Sequence, residues 1–494
     1  MKREPVSIKE VPAQERVRSF DEVVFGYEES QALEEASRCI QCKNPKCIAG
    51  CPVGIDIKKF IYQITQKDYQ GAYATIREKN NFPSVCGRVC PAEYQCRKTC
   101  VFTKKDEPFA SEKAINIHFL ERFVGDFGME HCSAQEHQPN GQLKGKKVAI
   151  VGSGPAGLCA AGELARQGVK VVIYESLHKS GGVLRYGIPP FRLPRTILDY
   201  EIDSLKKFDV EIIPNFIVGK TATLNELFDE GYSAVFLGLG AGVPSFLKVK
   251  GENYCNVYSA NEFLTRVNLM SAFKFPEAHT PVNIGKHVIV IGGGNTAMDA
   301  ARAALRLQVL QGLKPHTTIF YRRTEIEMPA RRLEIHHAKE EGVGLQLLVQ
   351  PVEFIGDEAG YVKKLRCLKC QLGEPDDSGR RRPVAIAGSE FDTDCDLAII
   401  AVGLNANALL TSVTPELKVD KWGDIIVNRE TMETSIPGVY AGGDIVGGEG
   451  TVIEAMGMAK KAAQSISEYI AGQENNFNRK GKDNVICSKN TRVS

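Results

Sequence analysis

The chain has little of what would place it in several common protein classes. Its 494 residues carry a formal net charge of only +2, and basic clusters are confined to short pieces such as Arg380-Arg381-Arg382. Nucleic acid and anionic membrane are therefore not expected as partners. Apolar runs never reach the roughly 18 residues that a spanning helix needs. The longest, VAIVGSGPAGLCAAGELA, is interrupted by Ser153, Pro155 and Glu163. The first residues, MKREPVSIKEVPAQERVRSF, are charged and hold no apolar stretch. A signal peptide is not expected, and a cytoplasmic location is. The remaining composition, 43% hydrophobic and 25% charged, is that of a globular protein. The length implies about two to four domains.

Cysteine is what the chain has in excess. Fifteen are present, eight of them within the first hundred residues. One run reads Cys39-x2-Cys42-x4-Cys47-x3-Cys51-Pro52, the other Cys86-x3-Cys90-x5-Cys96-x3-Cys100. Thiols in a reducing compartment bind metal more often than they pair as disulfides. Iron–sulfur cubanes take mostly four thiolates each, and a proline after the fourth cysteine is a ferredoxin-like feature. Structural zinc also takes four cysteines, but usually as separated pairs. Spacing alone leaves open which of the eight thiols are ligands. Around them, residues 1–140 read as short helices and loops, and 129–145 as a polar linker.

Two later segments resemble each other. KKVAIVGSGPAGLCAAGELARQGVKVVIYE (146–175) and KHVIVIGGGNTAMDAARAALRLQVLQGLKPHTTIFYRR (286–323) each run strand, glycine loop, helix, strand. This is a dinucleotide-binding βαβ unit occurring twice. In the first, Gly152, Gly154 and Gly157 let the backbone approach a pyrophosphate at the start of the helix opened by Pro155 and Ala156. Glu175 ends the second strand, where a carboxylate accepts hydrogen bonds from ribose hydroxyls. In the second unit, Gly292 and Gly294 precede Asn295, Thr296 and Ala297. Its second strand ends in Arg322 and Arg323, a charge suited to a 2′-phosphate, so NADPH is expected there. Arg331 and Arg332 are further candidates. Cys367-Leu-Lys-Cys370 raises a disulfide-reductase reading, but its sequence alternates like a strand, which points the two thiols to opposite faces. Cys159 and Cys255 read as core residues.

The Cys39–Pro52 run, CGRVCP, GSGPAG, GGVLRYGIP, GGGNTAMD, YRRT with MPA, and AGGD together resemble the small subunit of bacterial NADPH-dependent glutamate synthase, from about residue 20 to 470. They are also similar to the large subunit of electron-bifurcating NADH-dependent ferredoxin–NADP oxidoreductases and to the N-terminal half of dihydropyrimidine dehydrogenase. The resemblance implies an α/β fold: a helical double [4Fe-4S] domain (1–140), an FAD domain (145–284 and 396–473), an NADPH domain (285–395) and a polar tail (474–494). It implies one cluster on Cys39, Cys42, Cys47 and Cys100, and a second on Cys51, Cys90, Cys96 and Glu121, with Cys86 a bystander. It brings Gly182, Leu184, Gly443, Asp444, Thr451 and Val452 to the FAD. Hydride passes from NADPH to flavin, so no side chain is singled out as catalytic. Glutamate synthase also needs an N-terminal cysteine nucleophile and an FMN barrel, neither of which is expected in this chain, given its Met1-Lys2 start and 494 residues. A partner subunit is therefore expected, either a glutamate synthase large subunit or a flavin and [2Fe-2S] subunit, with ferredoxin a further candidate.

Overall fold

The computed structural model describes residues 4–104, 107, 109–132, 141, 143–376, 379–447 and 450–487, with side chains up to residue 472. The first region is helical: α1 (Glu29–Ser37), α2 (Ile57–Thr65), α3 (Tyr69–Arg77), α4 (Pro83–Val89) and α5 (Ile117–His131). In α2 the buried residues Ile57, Phe60, Ile61 and Ile64 recur at helical spacing, and the Asp56 side chain caps the first turn by accepting from Lys59 N. Asp68 caps α3 in the same way. Pro83 opens α4, where its missing N–H goes unused. The helices α4 and α5 cross at two glycines. A Cβ on Gly87 would lie 2.6 Å from the Arg122 backbone, and one on Gly125 would lie 2.7 Å from Ser84 N.

The rest is built on two five-stranded parallel sheets. The first contains β1 (Lys147–Val151), β2 (Lys170–Tyr174), β3 (Val210–Ile213), β4 (Ala234–Leu237) and β16 (Val439–Ala441), in the order β16-β4-β1-β2-β3. All pairings are parallel. Helices α6 (Pro155–Ala165) and α9 (Val452–Cys487) pack together on it, joined through small buried residues such as Ala160, Ala161, Ala459 and Ala462. Between the two sheets' strands in sequence, β5 (Ala241–Pro244) pairs antiparallel with β15 (Leu404–Ala406). The second sheet is likewise five-stranded, its central strand β7 (Val288–Ile291) flanked by β14 (Leu397–Ile400) and β8 (Thr317–Tyr321), with β6 (Val257–Ser259) and β9 (Gly344–Leu347) at its edges. Helices α7 (Asn295–Leu310) and α8 (Arg332–Glu340) cover one side of it.

Three features depart from the expectations. First, the second sheet takes β6 from within 145–284 and β14 from within 396–473, so the unit expected at 285–395 reaches past both limits. Three-residue β6 is too short to carry a periodic signal; its pairing with β14 decides its place. Second, an antiparallel sheet follows β9, made of β10 (Val349–Gly356), β11 (Val362–Pro375), β12 (Arg381–Ala385) and β13 (Phe391–Asp394). Third, α9 continues to Cys487, where a tail was expected from 474. No proline interrupts those residues, and propagation adds one hydrogen bond per residue. Residues 488–494 lie outside the described residues.

Candidate nucleotide and iron–sulfur sites

The two cysteine runs fold against each other. A Cβ on Gly50 would lie 2.4 Å from Thr99 Oγ1 and 3.1 Å from the Gln95 carbonyl, so glycine is what lets the loops meet. Their thiols fall into two groups. Burial pushes Cys47 up to about 12, and the charges that add to this are Cys100, Cys39 and Cys42. Cys39 is raised by burial, then by Cys42 and Cys100. In the other group burial pushes Cys51 up to about 11, with Glu121 and Cys90 adding. Cys96 is raised by burial, then by Cys51, Glu121 and Cys90, with Cys47 last. The structure thus brings together Cys39, Cys42, Cys47 and Cys100 as one set, and Cys51, Cys90, Cys96 and Glu121 as another, in which Cys86, expected to stand aside, is also hydrogen-bonded to Cys90. A cationic centre bound among these thiols would deprotonate the ones that ligate it. Among the described residues no three His, Cys, Asp or Glu side chains sit close enough to share a single metal ion. A cubane takes one ligand at each of four corners and holds them further apart.

Glu121 is buried on α5. Burial pushes its carboxyl up to about 7, against a 2.6 Å hydrogen bond donated by Asn80 Nδ2. The Asn80 carbonyl oxygen accepts from Phe82 N and lies 3.6 Å from Cys86 Sγ. Asn80 was not anticipated from the sequence: Glu121 lies on a distant helix, and KNNFP marks nothing. Cys86 is buried, with its sulfur 3.7 Å from Met456 Sδ of α9. The loops that carry Cys51 and Cys96 also reach α9, at two points near its start. A Cβ on Gly457 would lie 2.9 Å from the Pro52 carbonyl, and Gln95 Nε2 donates to Thr451 Oγ1 at 3.1 Å.

In the first nucleotide loop, Gly152 has φ +98°, and a Cβ there would meet the Gly238 carbonyl at 2.4 Å. The third glycine, Gly157, would meet the Gly152 carbonyl at 1.9 Å. The middle one, Gly154, faces open space, as close approach by a pyrophosphate requires. Gly182 closes over it: a Cβ on Gly182 would lie 2.6 Å from Gly154 Cα. Glu175 is buried and accepts from Ser153 N and Leu177 N at 2.9 and 2.8 Å, and from the Ser153 hydroxyl. Leu184 lies in the core beneath. Gly443, at φ +81°, brings the chain against Ala156, and Asp444 follows with its carboxylate accepting from Gly450 N. Thr451 and Glu454 cap each other at the start of α9, just ahead of Val452.

The second loop repeats the geometry. Gly292 would collide with the Ala401 carbonyl at 2.2 Å if it carried a Cβ, while Gly294 faces open space. Thr296 is exposed at the helix start, and Asn295 Oδ1 accepts from Arg331 N at 2.9 Å. The arginines then divide. Arg323 is buried; its Nε donates to the Arg381 carbonyl and its Nη2 to Asp376 Oδ2, both at 2.7 Å. It clamps the β11–β12 hairpin to the end of β8. Arg322 is exposed and has no hydrogen bond or ion pair among the described residues. Arg331 is buried against the first region, donating to the Arg88 carbonyl at 2.8 Å. Arg332 donates to the Glu325 and Ile326 carbonyls and stacks on Phe109. Of the four candidates, only Arg322 presents a free guanidinium.

The remaining thiols are placed plainly. Cys367 and Cys370 are buried in β11, and burial raises both, Cys367 to about 12. Cys159 is buried, whereas Cys255, expected in the core, is exposed beside its bridge to Tyr361.

Comparison with known proteins places the two parts of the chain in known families. Residues 16–133 match the family described as dihydropyrimidine dehydrogenase domain II, 4Fe-4S cluster, and residues 146–463 match the pyridine nucleotide-disulphide oxidoreductase family. The chain is 35% identical to the glutamate synthase [NADPH] small chain of Azospirillum brasilense, over 93% of each chain. It is likewise 35% identical to that of Escherichia coli K12, over 93% of this chain and 96% of that one. The chain belongs to the glutamate synthase small-chain family. It is also 40% identical to the NADP(+)-dependent formate dehydrogenase subunit beta of Moorella thermoacetica, spanning 86% of this chain but 60% of that one. Among solved structures, FprA of Mycobacterium tuberculosis in complex with NADPH shares the fold, with a TM-score of 0.57 at 20% identity over 67% of this chain and 86% of that one. As a member of this family the chain is an NADPH-dependent flavoprotein oxidoreductase with FAD, NADPH and [4Fe-4S] as its cofactors. No described helix is long and apolar enough to cross a membrane.

Proposed function

We propose that this chain is the electron-input subunit of a glutamate synthase, passing electrons from NADPH to a larger partner subunit through two [4Fe-4S] centres. When bound, FAD takes the hydride of NADPH, and the clusters carry its two electrons singly. The chain's own part is to bind and order these groups. Gly152, Gly154 and Gly157, with Pro155 and Ala156, let the FAD pyrophosphate approach the start of α6, and Glu175 takes the ribose. Gly182, Leu184, Gly443, Asp444, Thr451 and Val452 enclose the remainder. Gly292, Gly294, Asn295 and Thr296 receive the NADPH pyrophosphate, and Arg322 receives its 2′-phosphate. Cys51, Cys90, Cys96 and Glu121 hold the inner cluster; Cys39, Cys42, Cys47 and Cys100 hold the outer one.

The observation that carries this order is the packing of the inner set on α9. Pro52 touches Gly457, and Gln95 binds Thr451, at the helix whose start completes the FAD loop. On this reading the outer set is one step further from the flavin. The near-complete mutual coverage with glutamate synthase small chains favours that enzyme over formate dehydrogenase, whose subunit is much longer than the matched part. Anaerobic purification from native cells, with mass spectrometry of what stays bound, tests the assignment. A glutaminase-type large chain is the expected partner. A flavin and [2Fe-2S] subunit in its place overturns the proposal.

A further inference from the structure

We propose that the surface over the outer cysteine group is a docking face for a redox partner whose own surface is acidic. The proposal rests on the reading above, that electrons leave through Cys39, Cys42, Cys47 and Cys100. The residues beside those four cysteines share a character. Ile40 follows Cys39 and Val101 follows Cys100; they are 49% and 51% exposed, large apolar side chains held in water. Lys43 follows Cys42, Lys46 precedes Cys47 and Lys98 lies two residues before Cys100. Lys43, Lys46 and the nearby Lys104 are exposed, and Lys98 is partly so.

Charge decides what such a face accepts. Residues 39–55 and 94–104 contain no Asp or Glu. None of the four lysines makes a salt bridge or hydrogen bond through its side chain among the described residues. The acids closest in sequence that are buried are already engaged: Glu35 accepts from Asn116 N and Val6 N, and Glu93 accepts from Arg332 N. Elsewhere on the chain lysines do find acids, as Lys250 does with Glu353 and Lys460 with Glu163. Among the described residues no acid pairs with these four lysines, which lie in sequence beside two exposed apolar side chains and the outer cysteines, with Asp56, Glu93 and Glu107 at the borders of the two acid-free stretches. An apolar centre with a charged rim is the composition of a transient protein interface, and the rim charge steers encounter. Opposite charge on the partner raises the association rate by about 10- to 1,000-fold at low salt and loses that advantage as salt rises.

The test uses the anaerobic holoprotein and an acidic [2Fe-2S] ferredoxin, reduced beforehand with dithionite, as electron donor. Stopped-flow absorbance follows cluster and flavin reduction across a series of salt concentrations. The wild-type rate is expected to fall steeply with salt. A Lys43→Glu, Lys46→Glu, Lys98→Glu variant is expected to react at least about tenfold more slowly at low salt, with the salt slope flattened or reversed. Carbodiimide coupling followed by mass spectrometry is expected to join Lys43, Lys46, Lys98 or Lys104 to ferredoxin carboxylates. Bleaching of the flavin by NADPH, which occurs in the other two units, serves as the control and is expected to stay unchanged, as is iron content. If the wild type neither reacts with ferredoxin nor couples to it, or if it reacts but the variant keeps both its rate and its salt slope, the docking face is wrong. Coupling sites confined to other lysines have the same meaning. The electron-exit reading fails differently: ferredoxin then couples to these lysines without ever reducing the clusters.

Discussion

The two dinucleotide units begin with the same loop and continue into opposite surroundings. Helix α6, after the first loop, buries alanines, glycines and leucines and lies against the equally small-faced α9. Helix α7, after the second, buries Asp299, Arg302 and Arg306. Glu341 accepts from Arg302 Nη2 and Arg306 Nη1 at 2.8 and 2.6 Å, and from Arg16 of the N-terminal segment at 2.8 Å. Arg192, from the first unit, donates to Asp299 at 2.6 Å, and Phe191 lies under both α7 guanidinium groups. The shared loop motif gives each unit a place for a pyrophosphate, and the remainder of the helix fixes what the unit docks on. One helix is buried in its own sheet's core; the other is bolted to two other parts of the chain by charge.

The largest expected effect breaks the bolt. Glu341→Ala removes the carboxylate that three arginines share, leaving Arg306 without an acidic partner while Arg302 keeps Glu334 and Arg16 keeps Glu340, and a loss of about 3–5 kcal/mol in denaturant unfolding is expected. The same pairing has a pH signature. Burial alone raises the Glu341 carboxyl, but Arg302 and Arg306 outweigh it and hold the group well below the ordinary carboxylate range. Its contribution is therefore full above the unfolded value of about 4.3 and is lost as pH falls below it; the variant should show a flatter acid limb.

Next in size is the contrast at the strand ends. Arg322→Ser removes a charge-assisted contact to phosphate, a loss of about 1.5–3 kcal/mol. Steady-state kinetics should show KM for NADPH rising roughly ten- to hundredfold with NADH unaffected. Arg323→Ala should instead lower the melting temperature without moving the NADPH preference. Gly154→Ala and Gly294→Ala are a matched pair, since neither Cβ meets protein. Each should fold normally and weaken its own cofactor, FAD or NADPH, by about tenfold or more, equivalent to ~1.4 kcal/mol, read by flavin content and by nucleotide titration. The smallest effect belongs to the first unit's acid. Glu163 is paired with Lys460 and Arg166 at a less enclosed site, and Glu163→Ala should cost only about 1 kcal/mol. A cost matching that of Glu341→Ala would erase the difference between the two helices.

The glycine loops and the cysteine runs were legible because their chemistry is local: a turn, a close approach or a ligand spacing is written in neighbouring residues. The arginines were only half legible. Arg322 and Arg323 are adjacent, and a charge suited to phosphate is visible in both. What separates them is Asp376, more than fifty residues away on a hairpin that the sequence pattern did not announce. Arg331 read as a phosphate ligand for the same reason, and its partner Arg88 lies in another region altogether. The antiparallel insert and short β6 were illegible because their place depends on non-local pairing. Cys255 misled because an apolar neighbourhood in sequence does not say which way a bridge residue points.

The central claim is the order of the two cysteine groups, and one measurement addresses it: electron paramagnetic resonance of the anaerobic Cys100→Ala and Cys96→Ala holoproteins after NADPH is added. Each variant should retain about half of the wild-type iron, since each cubane draws its own four ligands. In Cys100→Ala the remaining inner cluster should become reduced at the wild-type pace. In Cys96→Ala the remaining outer cluster should stay oxidised. The reverse pattern, with the outer cluster reduced in the absence of the inner one, would contradict the account.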